Sequence, residues 1–124
     1  MEISSVIQMG YNSLLRKDFA AARAHYSKLI QLLPNQPIGY LGALQARIGG
    51  PEECTLGQIA ADVVRCKGMT VDPEYAEATD QVLQYKTGKY DVNLLAYVCL
   101  CYDYDAVEVL VDLGIDIHYV NKGG

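Results

Sequence analysis

The feature that most constrains the fold is a run of apolar residues that recur every three or four positions and end at a proline. Between residues 18 and 33 these are Phe19, Ala22, Tyr26, Leu29, Ile30 and Leu33. The spacing places them on one face of an α-helix, and that face requires a neighbouring element to cover it. Asp18 is a suitable N-cap, and Pro34 predicts the end of the helix because proline cannot continue it.

Similar start and stop signals predict six further helices. Thr55 and Gln58 form a capping-box pattern, Asp72 followed by Pro73 is another start signal, and Gly114 is a stop signal. The predicted helices are 2–15, 37–48, 55–67, 73–87, 94–101 and 104–113. No segment from residue 1 to residue 114 shows the alternation of a strand, so the predicted fold class is all-α.

Net charge and hydropathy limit the classes of partner that we expect for this chain. The 124 residues carry a formal net charge of −5, so we expect no nucleic-acid partner. No apolar run approaches the ~20 residues that span a bilayer, and the N-terminus lacks the pattern of a secretion signal. We therefore expect no membrane partner and a cytoplasmic protein with reduced cysteines.

The segment 3–34 resembles a tetratricopeptide repeat. The resemblance depends on residues in one register, namely Gly10, Phe19, Ala22, Tyr26 and Pro34. Val6 and Ser13 stand where that family usually has aromatic residues. Residues 35–48 repeat the pattern of the first helix, with Leu41 and Gly42 in register with Met9 and Gly10. This second repeat is either degenerate or has its second helix displaced by an insertion around Pro51. The resemblance implies a tetratricopeptide-like helical domain over residues 1–87.

Residues 91–124 resemble an ankyrin repeat, most specifically over residues 107–118, which follow that family's second helix, glycine cap and outgoing loop. Both families are non-catalytic scaffolds that bind proteins. Together the resemblances imply a helix-hairpin solenoid, with the ankyrin-like unit leaning on the fifth helix. They also imply a protein-interaction module (an adaptor or scaffold) rather than an enzyme. The alternatives are a structural or regulatory cap of a longer repeat protein and a small metal-binding protein.

Catalytic and metal-binding patterns are weak. Cys99, Cys101 and His118, with Cys54 or Cys66, are the only candidate metal ligands, and a C-x-C pair on a helix is a poor chelate. Buried cysteines in a helical core explain the same residues, so we predict no metal and no cofactor. His25 lacks an arranged partner, so we predict no catalytic residues.

Two sets of residues are candidates for binding a protein or peptide. The first lines the inner face of the tetratricopeptide-like helices: Ile7, Tyr11, Leu14, Ala43 and Arg47. The second reflects an unusual composition of ten Tyr, one Phe and no Trp; it comprises Tyr90, Tyr102, Tyr104 and Tyr119. Tyrosine is favoured in binding surfaces, although the same residues could instead pack the partly polar seam of a small solenoid. The alternatives are a groove filled by the protein's own later helices and a homodimer through the open end of the solenoid.

Overall fold

The structure, a computed structural model, describes residues 3–50, 55–86, 93–100 and 102–117. These residues are all-α, with no strand among them, which confirms the predicted class. The α-helices are α1 (Ile3–Leu15), α2 (Phe19–Leu32), α3 (Pro37–Gly49), α4 (Leu56–Val64), α5 (Ala76–Gln84), α6 (Leu94–Leu100) and α7 (Tyr104–Leu113). Within the same residues, no helix is long and apolar enough to cross a membrane.

Several predicted helix ends are confirmed by their hydrogen bonds. The Ala21 backbone N–H donates to the Asp18 side chain at the start of α2. Thr55 and Gln58 form the predicted capping box of α4, with each side chain accepting from the other residue's backbone N–H. Gly114 follows α7 with φ +98°, the left-handed conformation that favours glycine at this position.

The predicted start of the fifth helix was wrong. Pro73–Tyr75 forms a 3-10 turn, and α5 begins only at Ala76. The Asp72 side chain makes no capping hydrogen bond, whereas its backbone N–H donates to the side chain of Gln36 at 3.1 Å. Gln36 also donates to the Thr70 carbonyl, so it holds the segment before α5 against the start of α3.

The core of the first three helices is centred on Tyr26. This residue is fully buried between α1 and α3. A Cβ added at Gly42 would lie 2.3 Å from the Tyr26 ring, and one added at Gly10 would lie 3.0 Å from it. The two glycines therefore permit α1 and α3 to approach the same aromatic ring, as expected for Gly10 from the sequence.

The rest of α3 also meets α2 through glycine. A Cβ at Gly49 would lie 2.5 Å from the Phe19 ring, and one at Gly39 would lie 2.9 Å from the Ile30 side chain. These contacts pair the end of α3 with the start of α2 and its start with the end of α2. Helix α3 is thus antiparallel to α2 and presents small residues to it.

The end of α5 packs on the first three helices. The Gln45 side-chain amide donates to the carbonyls of Val82 and Tyr85, at 3.0 and 3.3 Å. The Tyr85 hydroxyl donates to the Leu14 carbonyl at the end of α1. Val82 and Leu83 are buried in the core, so the last turn of α5 and Tyr85 connect α1 to α3.

The last two helices pack mainly against α4, rather than leaning on α5 as the sequence suggested. Helix α5 contributes the Gln84 side chain, which donates to the Gly114 carbonyl and accepts from the Asp116 N–H, at 2.9 and 2.8 Å. Ile115, which lies between Gly114 and Asp116 in the sequence, is buried. The end of α7 is therefore fixed to the rest of the described chain.

The described residues of the α1–α2 and α6–α7 turns share two features, a positive φ and an aspartate N-cap. Lys17 and Tyr102 are the only non-glycine residues with positive φ within the described ranges, at 61° and 56°. Each is followed by an aspartate N-cap, Asp18 or Asp103, whose side chain accepts a hydrogen bond from the N–H three residues later, at 3.2 or 3.1 Å. The two turns provide a residue-by-residue alignment of the first and last hairpins.

Candidate protein-binding surface

The first predicted set does not form an open groove. Leu14 is fully buried in the core, so its assignment to a binding surface was wrong. Ile7 and Tyr11 are half-buried and pack against that core. Leu14 was misassigned because helical periodicity shows which face of α1 it occupies, but not whether another part of the chain packs on that face. One later segment reaches this end of α1, where the Tyr85 hydroxyl donates to the Leu14 backbone carbonyl.

Ala43 and Arg47 face another part of the molecule. They line a pocket of about 140 Å³ between α2, α3 and α4, and neither Ile7 nor Tyr11 contributes to its wall. Arg47 donates to the Asp62 carboxylate at 2.8 Å, and both side chains are partly buried. The one cation predicted for the groove therefore joins α3 to α4.

The second predicted set includes the most exposed aromatic residues of the described chain. Tyr102 and Tyr104 are 79% and 80% exposed, and neighbouring Leu100 is 65% exposed. We call these three residues the tyrosine tip. The Asp103 N-cap lies between the two tyrosines and fixes their backbone. Tyr90 and Tyr119 lie outside the described residues.

An apolar stripe continues from the tyrosine tip along α7. Tyr104, Val107 and Val111 follow at helical spacing and share one face; we call them the open stripe. Val111 is 45% exposed and Val107 is half-buried. Sequence reasoning missed the two valines because it counted tyrosines only. The signal was available, since these residues lie opposite the buried face formed by Ala106, Val109 and Leu110.

Acidic side chains lie beside the open stripe. Asp105, Glu108 and Asp112 are all exposed and share the flank of α7 next to it; we call them the acidic row. They border a pocket of about 420 Å³ between α7 and the turn 66–70, whose wall includes Lys67 and Thr70. Helix α7 has no basic residue, so the three carboxylates of the acidic row outnumber the single lysine, Lys67, on the wall of this pocket.

The cysteines offer little chemistry. Cys66 is buried, and burial, with a smaller contribution from Asp62, raises the pKa of its thiol to about 12. It is therefore protonated at neutral pH and unreactive as a nucleophile. Cys99 is exposed on α6. Cys54, Cys101 and His118 lie outside the described residues, and the remaining residues contain no group of three potential metal ligands.

Comparisons with protein-family models, with curated proteins and with solved structures find no match to this chain.

Proposed function

We propose that this chain is a protein-interaction module and that the tyrosine tip is the centre of its binding surface. The observation that carries the proposal is the exposure of Leu100, Tyr102 and Tyr104 around a single turn. Large apolar and aromatic side chains exposed together mark sites where another molecule removes them from water. Their arrangement favours a protein partner over a small ligand, because none of the three residues lines either of the two pockets described above.

The rigidity of the turn supports the same proposal. Asp103 caps α7, and the Tyr102 N–H donates to the Cys99 carbonyl at 3.2 Å. The backbone that presents the two tyrosines is held before a partner arrives, which lowers the entropic cost of binding. The candidate residues Ile7, Tyr11 and Ala43 on α1 and α3 are half-buried and lack this exposure.

In this proposal the chain is a non-catalytic adaptor in the cytoplasm, related in architecture to tetratricopeptide and ankyrin solenoids. Those resemblances depend on Gly10, Tyr26 and the segment 107–118, as argued from the sequence. The alternative of a cap for a longer repeat protein draws on the open stripe, which would then face a further unit of the same chain. Binding of a separate protein would support the adaptor, whereas a cap would contact only another part of its own chain.

The test is affinity capture with quantitative mass spectrometry, using the whole chain and the double variant Tyr102→Ser/Tyr104→Ser. We expect the wild type to retain a stoichiometric partner that the variant loses. Both side chains are exposed, so the variant's free energy of unfolding should stay within about 0.5 kcal/mol of the wild type.

Leu15→Ser is the matched control. Leu15 is 56% exposed at the end of α1, and the shared turn aligns it with Leu100. The control should retain the partner. Equal recovery by the wild type and the double variant would contradict the proposed function, and a concentration-dependent mass that doubles in light scattering would identify the partner as a second copy.

A further inference from the structure

One face of α7 is exposed, whereas the corresponding face of α2 is covered by neighbouring helices. Aligning the two turns on Lys17 and Tyr102 matches Tyr104 with Phe19 and Val111 with Tyr26. On α2, Tyr26 is fully buried and Phe19 is half-buried. On α7, Tyr104 and Val111 remain 80% and 45% exposed. The difference lies in what covers the helix, because the residues at both positions are apolar.

The molecule itself shows how such a face is covered. On α2, both α1 and α3 contact Tyr26, and α3 is the antiparallel helix that places Gly49 on Phe19 and Gly42 on Tyr26. The two glycines are seven positions apart, two helical turns, and therefore lie on the same side of α3. A helix with small residues at this spacing can approach an aromatic residue and a second apolar residue two turns away. The open stripe has the same pattern, from Tyr104 to Val111.

The charges on α7 indicate what kind of partner helix can pack on its open stripe. The acidic row lies along one flank of the open stripe and borders the pocket of about 420 Å³. A helix lying on the stripe would place one of its own flanks over these three carboxylates. A second copy of this chain has a formal net charge of −5 and would bring an acidic row of its own. A basic flank complements the row, whereas an acidic one opposes it.

We propose that the open stripe docks an amphipathic α-helix of a partner protein, with small residues against Tyr104 and Val111 and lysine or arginine against the acidic row. The inference rests on the proposed function and names the kind of partner. The partner helix occupies on α7 the place that α3 occupies on α2. The three carboxylates of the acidic row, which outnumber Lys67 on the pocket wall, receive the basic side chains.

The probe for the test is a synthetic peptide of about 20 residues, a length at which an alanine-rich sequence is helical in water. It carries two glycines seven positions apart on one face and lysines on the adjacent flank, with a fluorophore at one end. Fluorescence anisotropy with the whole chain measures its binding. We expect binding with a dissociation constant below about 1 mM, and a loss of at least about tenfold for Val111→Asp.

Two matched changes separate the apolar and electrostatic parts. Leu32→Asp introduces the same charge at an apolar residue of α2 that is 40% exposed, and it should leave peptide binding unchanged. A peptide with glutamates in place of the lysines should bind at least about tenfold more weakly. At 1 M salt, where the Debye length is about 3 Å, the difference between the two peptides should largely disappear.

The inference is overturned if the lysine peptide does not bind, if Val111→Asp binds it as well as the wild type, or if the glutamate peptide binds equally. It is also overturned if the wild type doubles its mass in light scattering and Val111→Asp prevents this, because the occupant is then a second copy. These results leave the proposed function intact when the natural partner is still lost in Tyr102→Ser/Tyr104→Ser. If that partner is retained, the proposed function itself fails.

Discussion

The first and last hairpins share one turn and differ in what surrounds it. In both, a residue with positive φ precedes an aspartate N-cap and an aromatic residue at the first position of the second helix. Phe19 then packs against Gly49, whereas Tyr104 is 80% exposed. Local sequence therefore specifies the turn, whereas packing against another helix, as α3 packs on α2, decides whether the same face becomes core or surface.

The largest expected effect tests the buried member of one aligned pair. Tyr26→Ala should lower the free energy of unfolding by about 3–5 kcal/mol, because it removes a fully buried aromatic side chain and leaves a cavity between α1 and α3. Val111→Ala, its aligned counterpart, should cost less than about 0.5 kcal/mol. Urea denaturation measures both. Similar costs for the two variants would break the comparison.

A smaller effect tests the close approach of α3. Gly42→Ala should destabilise the protein by about 2 kcal/mol, because its Cβ would lie 2.3 Å from the Tyr26 ring and overpacking outweighs the helix propensity of alanine. Gly57→Ala is the control. Its Cβ would meet nothing closer than 3.9 Å in α4, so we expect stabilisation of up to about 1 kcal/mol. Opposite signs in thermal unfolding support the packing argument, and equal signs contradict it.

Sequence patterns predicted the local features of this fold well. The bounds of α2 and α7, the Asp18 cap and the Thr55–Gln58 capping box all depend on residues close together in the chain. The fifth helix was misplaced at its start: the Asp72 side chain makes no capping hydrogen bond and Pro73–Tyr75 forms a 3-10 turn. The Asp72 backbone N–H donates instead to Gln36, a residue distant in sequence that no local pattern includes.

The candidate surface was less predictable for the same reason. Tyr102 and Tyr104 were identified from composition, and their exposure agrees with a surface role. Leu14 was misassigned, and Arg47 pairs with Asp62 of α4. Both outcomes depend on how helices that are distant in sequence pack together. Helical periodicity identifies the faces of a helix, but tertiary packing determines which face remains exposed.

The two N-caps should behave alike despite their different surroundings. Asp18→Ala and Asp103→Ala should each cost about 1 kcal/mol, because each removes one side-chain acceptor from an N–H at 3.2 or 3.1 Å. The corresponding asparagine variants should recover most of this loss, since asparagine is an equally good cap. Chemical denaturation of the four variants is the measurement. A loss confined to Asp18→Ala would mean that the last hairpin does not form the shared turn in solution.

The smallest effect concerns the residues with positive φ. Lys17→Gly and Tyr102→Gly should each stabilise the protein by about 0.5 kcal/mol. The left-handed conformation costs a side-chain-bearing residue about 1–2 kcal/mol, and the extra entropy of glycine in the unfolded chain offsets part of the gain. The expected gain is the same at both turns because the φ values are 61° and 56°. A gain at Lys17 with a loss at Tyr102 would show that the tyrosine side chain makes stabilising contacts within the chain. The exposure of Tyr102 would then no longer support its assignment to a partner-binding surface.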